Sequence, residues 1–393
     1  MERLWTKPFI LMTVAMLFLF TGFYMLLPTL PLFIKFIGGT ESQVGLLVGA
    51  FMLSAVILRP LIGGLLDRYG RRPFILWGLL IFTVAMYFYS WVGGVFVLLG
   101  LRILQGLSWA VSTTAIFTAI TDIIPPTRRG EGMGWFSTAM TLAMAIGPMC
   151  GIWITQNISY QALFFIAVGL SVVALLLMFA AKIPFQPKKT GTQKIELFEK
   201  SVLPIIISVF FLHIAYGGIT AFVPLFTNSL AVNSGAFFLV YAATLILSRP
   251  IAGKLSDRHG EKFVIIPALG ITIIALISLS LAEGSIGILV SAILYGIGFG
   301  SASPALQAAT VRLANPDRKG VANASLLTAT DLGIGLGSIV LGWISQYTSY
   351  SVLFIVSAVS VGCALVVFRF YVNRLVQRNG NLDTAISKDV ASQ

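Results

Sequence analysis

Arg59-Pro60-Leu61-Ile62-Gly63-Gly64-Leu65-Leu66-Asp67-Arg68-Tyr69-Gly70 returns 190 positions later as Arg249-Pro250-Ile251-Ala252-Gly253-Lys254-Leu255-Ser256-Asp257-Arg258-His259-Gly260. The same offset pairs Gly106 with Gly296, Arg129-Gly130 with Lys319-Gly320, Gly147 with Gly337 and Tyr160 with Tyr350. Elsewhere it slips by three, so that Pro31-Leu32-Phe33 recurs as Pro224-Leu225-Phe226. One unit of half the chain is therefore present twice.

The repeated unit is apolar. Hydrophobic residues make up 57% of the 393 and charged residues 10%, against about 25% charged in soluble domains, so the chain belongs in a bilayer. Stretches long enough to cross hydrocarbon as helices, about 20 residues each, lie at 8–34, 43–66, 73–92, 94–120, 131–155, 161–183, 201–228, 234–255, 262–282, 285–312, 320–345 and 350–374. Their unbroken apolar character predicts helices, since barrel strands would alternate in shorter segments. The expected fold is all-α, with six spans in each of two pseudo-symmetric bundles. Many secondary transporters are built from such repeats, with the substrate between them.

The net charge of +12 does not point to nucleic acid, because the basic residues sit in short separated loops rather than on one face. With the N-terminus inside, Lys35 is the only basic residue in an outer loop, and Arg71-Arg72, Arg128-Arg129, Lys188-Lys189 and Arg318-Lys319 fall inside. This positive-inside bias predicts a multi-pass membrane protein with both termini cytoplasmic. The first apolar stretch is too long for a signal-peptide core and reads as a retained span. Cys150 and Cys363 fall in spans and say nothing of compartment.

The organisation read from these boundaries is a bundle over 1–183, a cytoplasmic linker over 184–200, a second bundle over 201–374 and a cytoplasmic tail over 375–393. The linker carries Pro184, Pro187, Lys188, Lys189, Lys194 and Lys200, and Ile195 to Lys200 can form a short surface helix. The other loops leave no room for a soluble domain. No Gly-Lys-Ser/Thr phosphate loop is present. Two histidines and no paired acids in spans offer neither an enzyme's reactive cluster nor a metal set, and no cofactor is expected.

The loop between spans 2 and 3, Gly63-Gly64-Leu65-Leu66-Asp67-Arg68-Tyr69-Gly70-Arg71-Arg72, resembles the cytoplasmic signature of the major facilitator superfamily. The resemblance implies a gate in which Asp67 accepts bonds from the amides opening span 11 near Gly320. By the repeat, Asp257, beside Arg258, does the same for span 5 near Gly130. The plainer reading is that these charges only set topology. In span 4, Arg102-Ile103-Leu104-Gln105-Gly106 is similar to the family's Arg-x-x-Gln-Gly pattern, and an Arg within a span must face a polar cavity, a partner or the headgroups. Gly147-Pro148-Met149-Cys150-Gly151 in span 5 resembles the antiporter motif Gly-x-x-x-Gly-Pro-x-x-Gly-Gly, with Ala143 and Ile152 replacing its outer glycines. Gly22 to Pro31 is similar to the Gly-x5-Pro-x-x-Pro pattern of twelve-span drug/proton antiporters.

The resemblance implies a monomer that needs no macromolecular partner and carries a small molecule and protons across the bilayer. Asp331, the one acid deep in a span, and His213 in span 7 are candidate proton carriers, with Arg102 as a candidate influence on them. Each has a structural alternative: a hydrogen-bonded Asp tying span 11 to a neighbour, or a packed His. By resemblance, spans 1, 4, 7 and 10 line the cavity, which makes Tyr24, Arg102, Gln105, Trp109, Thr113, His213, Tyr216, Tyr295 and Gln307 candidate lining residues. The expected activity is proton-driven efflux of small amphipathic drugs or metabolites. The rivals are a proton-coupled uptake symporter for a sugar or organic acid, and a lipid flippase.

Overall fold

The computed structural model describes residues 4–125, 128–183, 202–314 and 319–372. Among the described residues twelve α-helices follow one another: α1 Lys7–Phe36, α2 Glu41–Tyr69, α3 Arg71–Tyr87, α4 Val95–Ile123, α5 Arg129–Asn157 and α6 Tyr160–Ala180, then α7 Leu203–Ser229, α8 Ser234–His259, α9 Glu261–Ser280, α10 Ser285–Leu313, α11 Lys319–Tyr347 and α12 Tyr350–Val367. All twelve are long and apolar enough to cross a membrane. The linker over 184–200, with its surface helix, and the tail over 375–393 lie outside the described residues.

The helix ends show why the repeat folds twice in the same way. Ser159 and Ser349, one offset apart, cap α6 and α12 by accepting bonds from the Ala162 and Val352 amides at 3.1 and 3.3 Å. Gly70 and Gly260 both take φ +86 where α2 and α8 end and the next helix begins. That left-handed backbone suits glycine alone without cost. Thr40 opens α2 with a capping box to Gln43.

Packing repeats as well. A Cβ on Gly106 would meet Ser54 Oγ and the Phe51 carbonyl, and one on Gly296 would meet Thr244 Oγ1 and the Tyr241 carbonyl. The partners are themselves 190 residues apart, so α2–α4 and α8–α10 are the same close approach. The charges beside the two loops are exchanged. Arg71 pairs with Asp122 at 3.0 Å in the first half, and Glu261 pairs with Arg312 at 3.1 Å in the second. Arg71 is buried and its Nη1 also donates to the Leu66 carbonyl at 3.0 Å. Arg72 donates to the Phe179 carbonyl at 3.1 Å, and Arg68 lies 5.2 Å from the centre of the Tyr69 ring.

Gly147 and Gly151 seat α5 on α1. Added Cβ atoms there would press on Tyr24 Cβ at 2.6 Å and on the Met25 carbonyl oxygen at 2.5 Å. The glycines of the motif thus pack helices within one half, with Pro148 inside α5. Outward faces carry exposed apolar residues such as Trp77, Phe96, Leu247 and Ile286, as a lipid-facing surface should.

The halves, α1–α6 and α7–α12, meet through α2 with α11, α5 with α8 and α1 with α7. The face bearing Arg68, Arg71, Arg72, Arg128 and Arg258 is the basic face; the other is the far face. Toward the far face α2 and α11 touch backbone to backbone. A Cβ on Gly45 would strike the Ser338 carbonyl, and one on Gly342 would stand 2.8 Å from the Glu41 carbonyl oxygen. The Ser42 amide donates to Gln346 at 3.1 Å, and Tyr350 donates to Glu41 at 3.3 Å.

Candidate functional site

Below that far-face closure, between the halves, lies a cavity of about 240 Å³. Seven helices (α1, α2, α4, α5, α7, α10 and α11) and Arg249 of α8 line it, from mid-span toward Phe117, Gln307 and Leu326 on the basic side.

Its apolar walls are a repeated pair of stacks. Phe23 stacks on Trp109 at 4.5 Å and 21°, and Tyr216 stacks on Phe299 at 4.7 Å and 9°. Trp109 and Phe299 stand 190 residues apart, and Phe23 and Tyr216 stand 193 apart, which is the slip seen at the prolines of α1 and α7. Two flat aromatic surfaces therefore face the cavity from opposite halves. His213 lies edge-on to Phe299 at 5.7 Å, and its Nδ1 is 2.8 Å from the Val209 carbonyl. A carbonyl only accepts, so Nδ1 carries the hydrogen and Nε2 is the nitrogen left to titrate.

The polar groups are few. Arg59 of α2 reaches across to Asp331 of α11, with Nε and Nη2 both 2.8 Å from Oδ2. Each side chain is 11% exposed, so this is a buried pair joining the two halves in the cavity wall. Arg249 of α8, the repeat equivalent of Arg59, reaches α5 and donates to the hydroxyl of Thr141. Thr141 is the repeat equivalent of Asp331. Among the described residues the cavity's cations and anions are Arg59, Arg249, Asp331 and the titratable His213.

Six of the nine residues expected in the lining stand there: Tyr24, Trp109, Thr113, His213, Tyr216 and Gln307. Arg102, Gln105 and Tyr295 stand outside it. Arg102 is 2% exposed and is folded into the first half, its guanidinium 4.4 Å from the centre of the Phe51 ring. Its Nη1 donates to Gln105 at 3.0 Å and its Nε to the Leu47 carbonyl at 3.3 Å. Tyr89 donates to the same Gln105 oxygen. The reason is depth along α4, because Arg102 lies about two turns from Trp109 and shares its helical phase. Residues 109, 113 and 117 turn one face of α4 to the cavity, while Arg102 lies farther toward the far face and turns to α2. The expected gate falls partly outside view: the side chains of Gly63, Asp67 and Asp257 lie outside the described residues, while Gly70, Arg68, Arg71, Arg72 and Arg258 are placed as given above.

Sequence reading passed over Arg59, Arg249, Phe20, Phe23 and Phe299. The signal for the arginines was present: an Arg-Pro pair at both repeat positions inside a span is costly unless it serves a polar site.

The sequence profile of the Major Facilitator Superfamily matches residues 12–282 and 231–388. The chain belongs to the Major Facilitator Superfamily. It is a membrane transporter of small-molecule substrates, not an enzyme. It is 27% identical over 378 residues to the staphylopine export protein of Staphylococcus aureus strain Mu50, covering 90% of this chain and 93% of that one. It is 26% identical over 344 residues to the quinolone resistance protein NorA of S. aureus strain MRSA252, covering 82% and 86%. In fold it resembles a bacterial homologue of the human lysosomal transporter Spinster (TM-score 0.77, 15% identity, 92% and 95% covered). It also resembles the nucleoside transporter NupG (TM-score 0.75, 15% identity, 92% and 99% covered).

Proposed function

We propose that this transporter exports small amphipathic drugs or metabolites in exchange for protons. The units over 1–183 and 201–374 rock about the central cavity as a monomer in a bacterial plasma membrane. The basic face is cytoplasmic, as are both termini. The conformation described is then inward-facing, sealed at the far face by α2 against α11.

The observation that carries the reading is the Arg59–Asp331 pair, because a proton on Asp331 acts on the relation between the halves. With Asp331 charged, Arg59 is held and α2 is tied to α11; with Asp331 neutral, the tie loosens. A ligand moves such an equilibrium only by its differential affinity for the two states, and a proton at this position has one. His213 offers a second proton site in the same cavity. The export direction is supported by relatives named for staphylopine export and quinolone resistance.

Inside-out vesicles test the assignment. An acid lumen should drive accumulation of at least one of a cationic, a neutral and an anionic aromatic compound, and a protonophore should abolish it. Accumulation driven by an acid exterior in right-side-out vesicles would instead establish uptake.

A further inference from the structure

The two inter-half arginines are equivalent in the repeat and unequal in their partners. Arg59 meets a carboxylate, Asp331, through two contacts of 2.8 Å. Among the described residues Arg249 meets only the neutral hydroxyl of Thr141, and its Nε, though buried, has no hydrogen-bond partner there. Offset and contact agree: positions 59 and 249, and positions 141 and 331, are each 190 apart. The second half has thus kept the arginine of the device while the first half lacks the acid that would neutralise it. A charge left unneutralised in a largely apolar cavity is costly, which is why such groups occur where a ligand or partner completes them.

We propose that Arg249 is the anion anchor of the substrate site, and that the transporter takes small aromatic acids: a carboxylate, sulfonate or phosphate on a flat apolar body. This rests on the export reading for its setting and adds the chemical class of the cargo. Asp331 neutralises Arg59, so the arginines and Asp331 together leave one positive charge in the cavity, at Arg249. The Arg249 Nε supplies a free donor suited to an anionic oxygen. Tyr24 and Tyr216 line the same cavity, and the Phe23–Trp109 and Tyr216–Phe299 stacks offer two aromatic surfaces for the body of the ligand. At about 240 Å³ the space lies below the usual range of roughly 300–1,000 Å³ for small-molecule sites, which suits a one-ring acid and not a two-chain lipid. Thr141 fixes the selectivity, because an acid there would consume the anchor.

The test compares 4-butylbenzoate with its neutral isostere 4-butylbenzamide, binding each to the purified full chain in detergent by titration calorimetry. Wild-type protein should bind the benzoate at least about tenfold more tightly, the equivalent of about 1.4 kcal/mol. Arg249→Gln should bring the two within about twofold of each other. Arg249→Lys should keep part of the preference, since it retains the charge without the guanidinium fork. Thr141→Asp installs internally the carboxylate that Arg59 already has in the other half, so it should fold, melt no lower than wild type and lose the preference for benzoate. Equal binding of both compounds by wild type, or a preference unchanged in both Arg249→Gln and Thr141→Asp, overturns the proposal. Proton-driven accumulation of at least one of a cationic, a neutral and an anionic aromatic compound, measured after the same preparation is reconstituted into liposomes, separates the two readings. Export without benzoate preference sinks the anion site alone; benzoate preference without proton-driven export sinks the export reading and leaves the site standing.

Discussion

Asp331→Asn isolates the charge of the inter-half pair from its hydrogen bonds. Arg59 Nε and Nη2 converge on a single oxygen at 2.8 Å, and an amide oxygen in the same place still accepts both. What disappears is the charge. Arg59 keeps its own charge, so both bonds remain charge-assisted, but the guanidinium is no longer neutralised. Losing a partner of a buried pair outright costs about 3–5 kcal/mol, and with both hydrogen bonds retained the loss should be smaller, about 2–3 kcal/mol. With both side chains only 11% exposed, solvent screening reduces this little. Asp331→Ala, which leaves Arg59 buried without a partner, should cost more, about 3–5 kcal/mol, and Arg59→Met with Asp331→Leu should recover most of it. Melting of the four proteins in detergent should therefore rank wild type and the double variant above Asn, and Asn above Ala. In proteoliposomes Asp331→Asn should lose pH-driven flux to background while retaining substrate counterflow, since the cavity is intact but holds no titrating acid at that position. Wild-type pH-driven flux in Asp331→Asn would show the acid to be structural, and a double variant no more stable than the Ala single would show that the pair is not the tie between α2 and α11.

Gly106→Ala should lower stability by about 1–3 kcal/mol through overpacking against Phe51 and Ser54, whereas Gly100→Ala, with open space around its Cβ, should raise helix stability by about 0.5–1 kcal/mol; thermal melts of both check this. Exchanging Arg71 and Asp122 as a double swap, Arg71→Glu with Asp122→Arg, should restore the stability lost in either single change, because Glu261–Arg312 already holds the other half in that polarity. Asp67→Asn should slow transport with little loss of folded protein, as the gate reading of that loop requires; normal turnover would reject it.

The repeat made most of the fold legible. Two copies of one loop, separated by 190 residues, predict two like bundles, and the same Gly70 and Gly260 backbone and the same serine caps on α6 and α12 are the physical form of that repetition. The cavity was legible where helical phase could be guessed from span order, as at Trp109, Thr113 and Tyr216. It was not legible at Arg102, which shares the helical phase of Trp109, because sequence does not show how far toward the far face the cavity extends or that the Phe51 ring and the Gln105 amide draw the guanidinium into the first half. Arg59 and Arg249 are visible in the sequence only as members of the repeated stretch. Their role depends on which residue of the opposite half they reach, and sequence supplies this only when the offset is applied to both partners together.

Two spin-label distances test the rocking of the halves most directly, in a protein whose Cys150 and Cys363 have been replaced by Ala. Labels at Ser42 and Gln346 report the far-face closure, where α2 and α11 touch at 3.1 Å, and labels at Thr121 and Arg312 report the basic ends of α4 and α10. Acidification and exported substrate should populate a second state in which the first distance lengthens while the second shortens. Distances that stay fixed under every condition, or that lengthen together, contradict alternating access about this cavity.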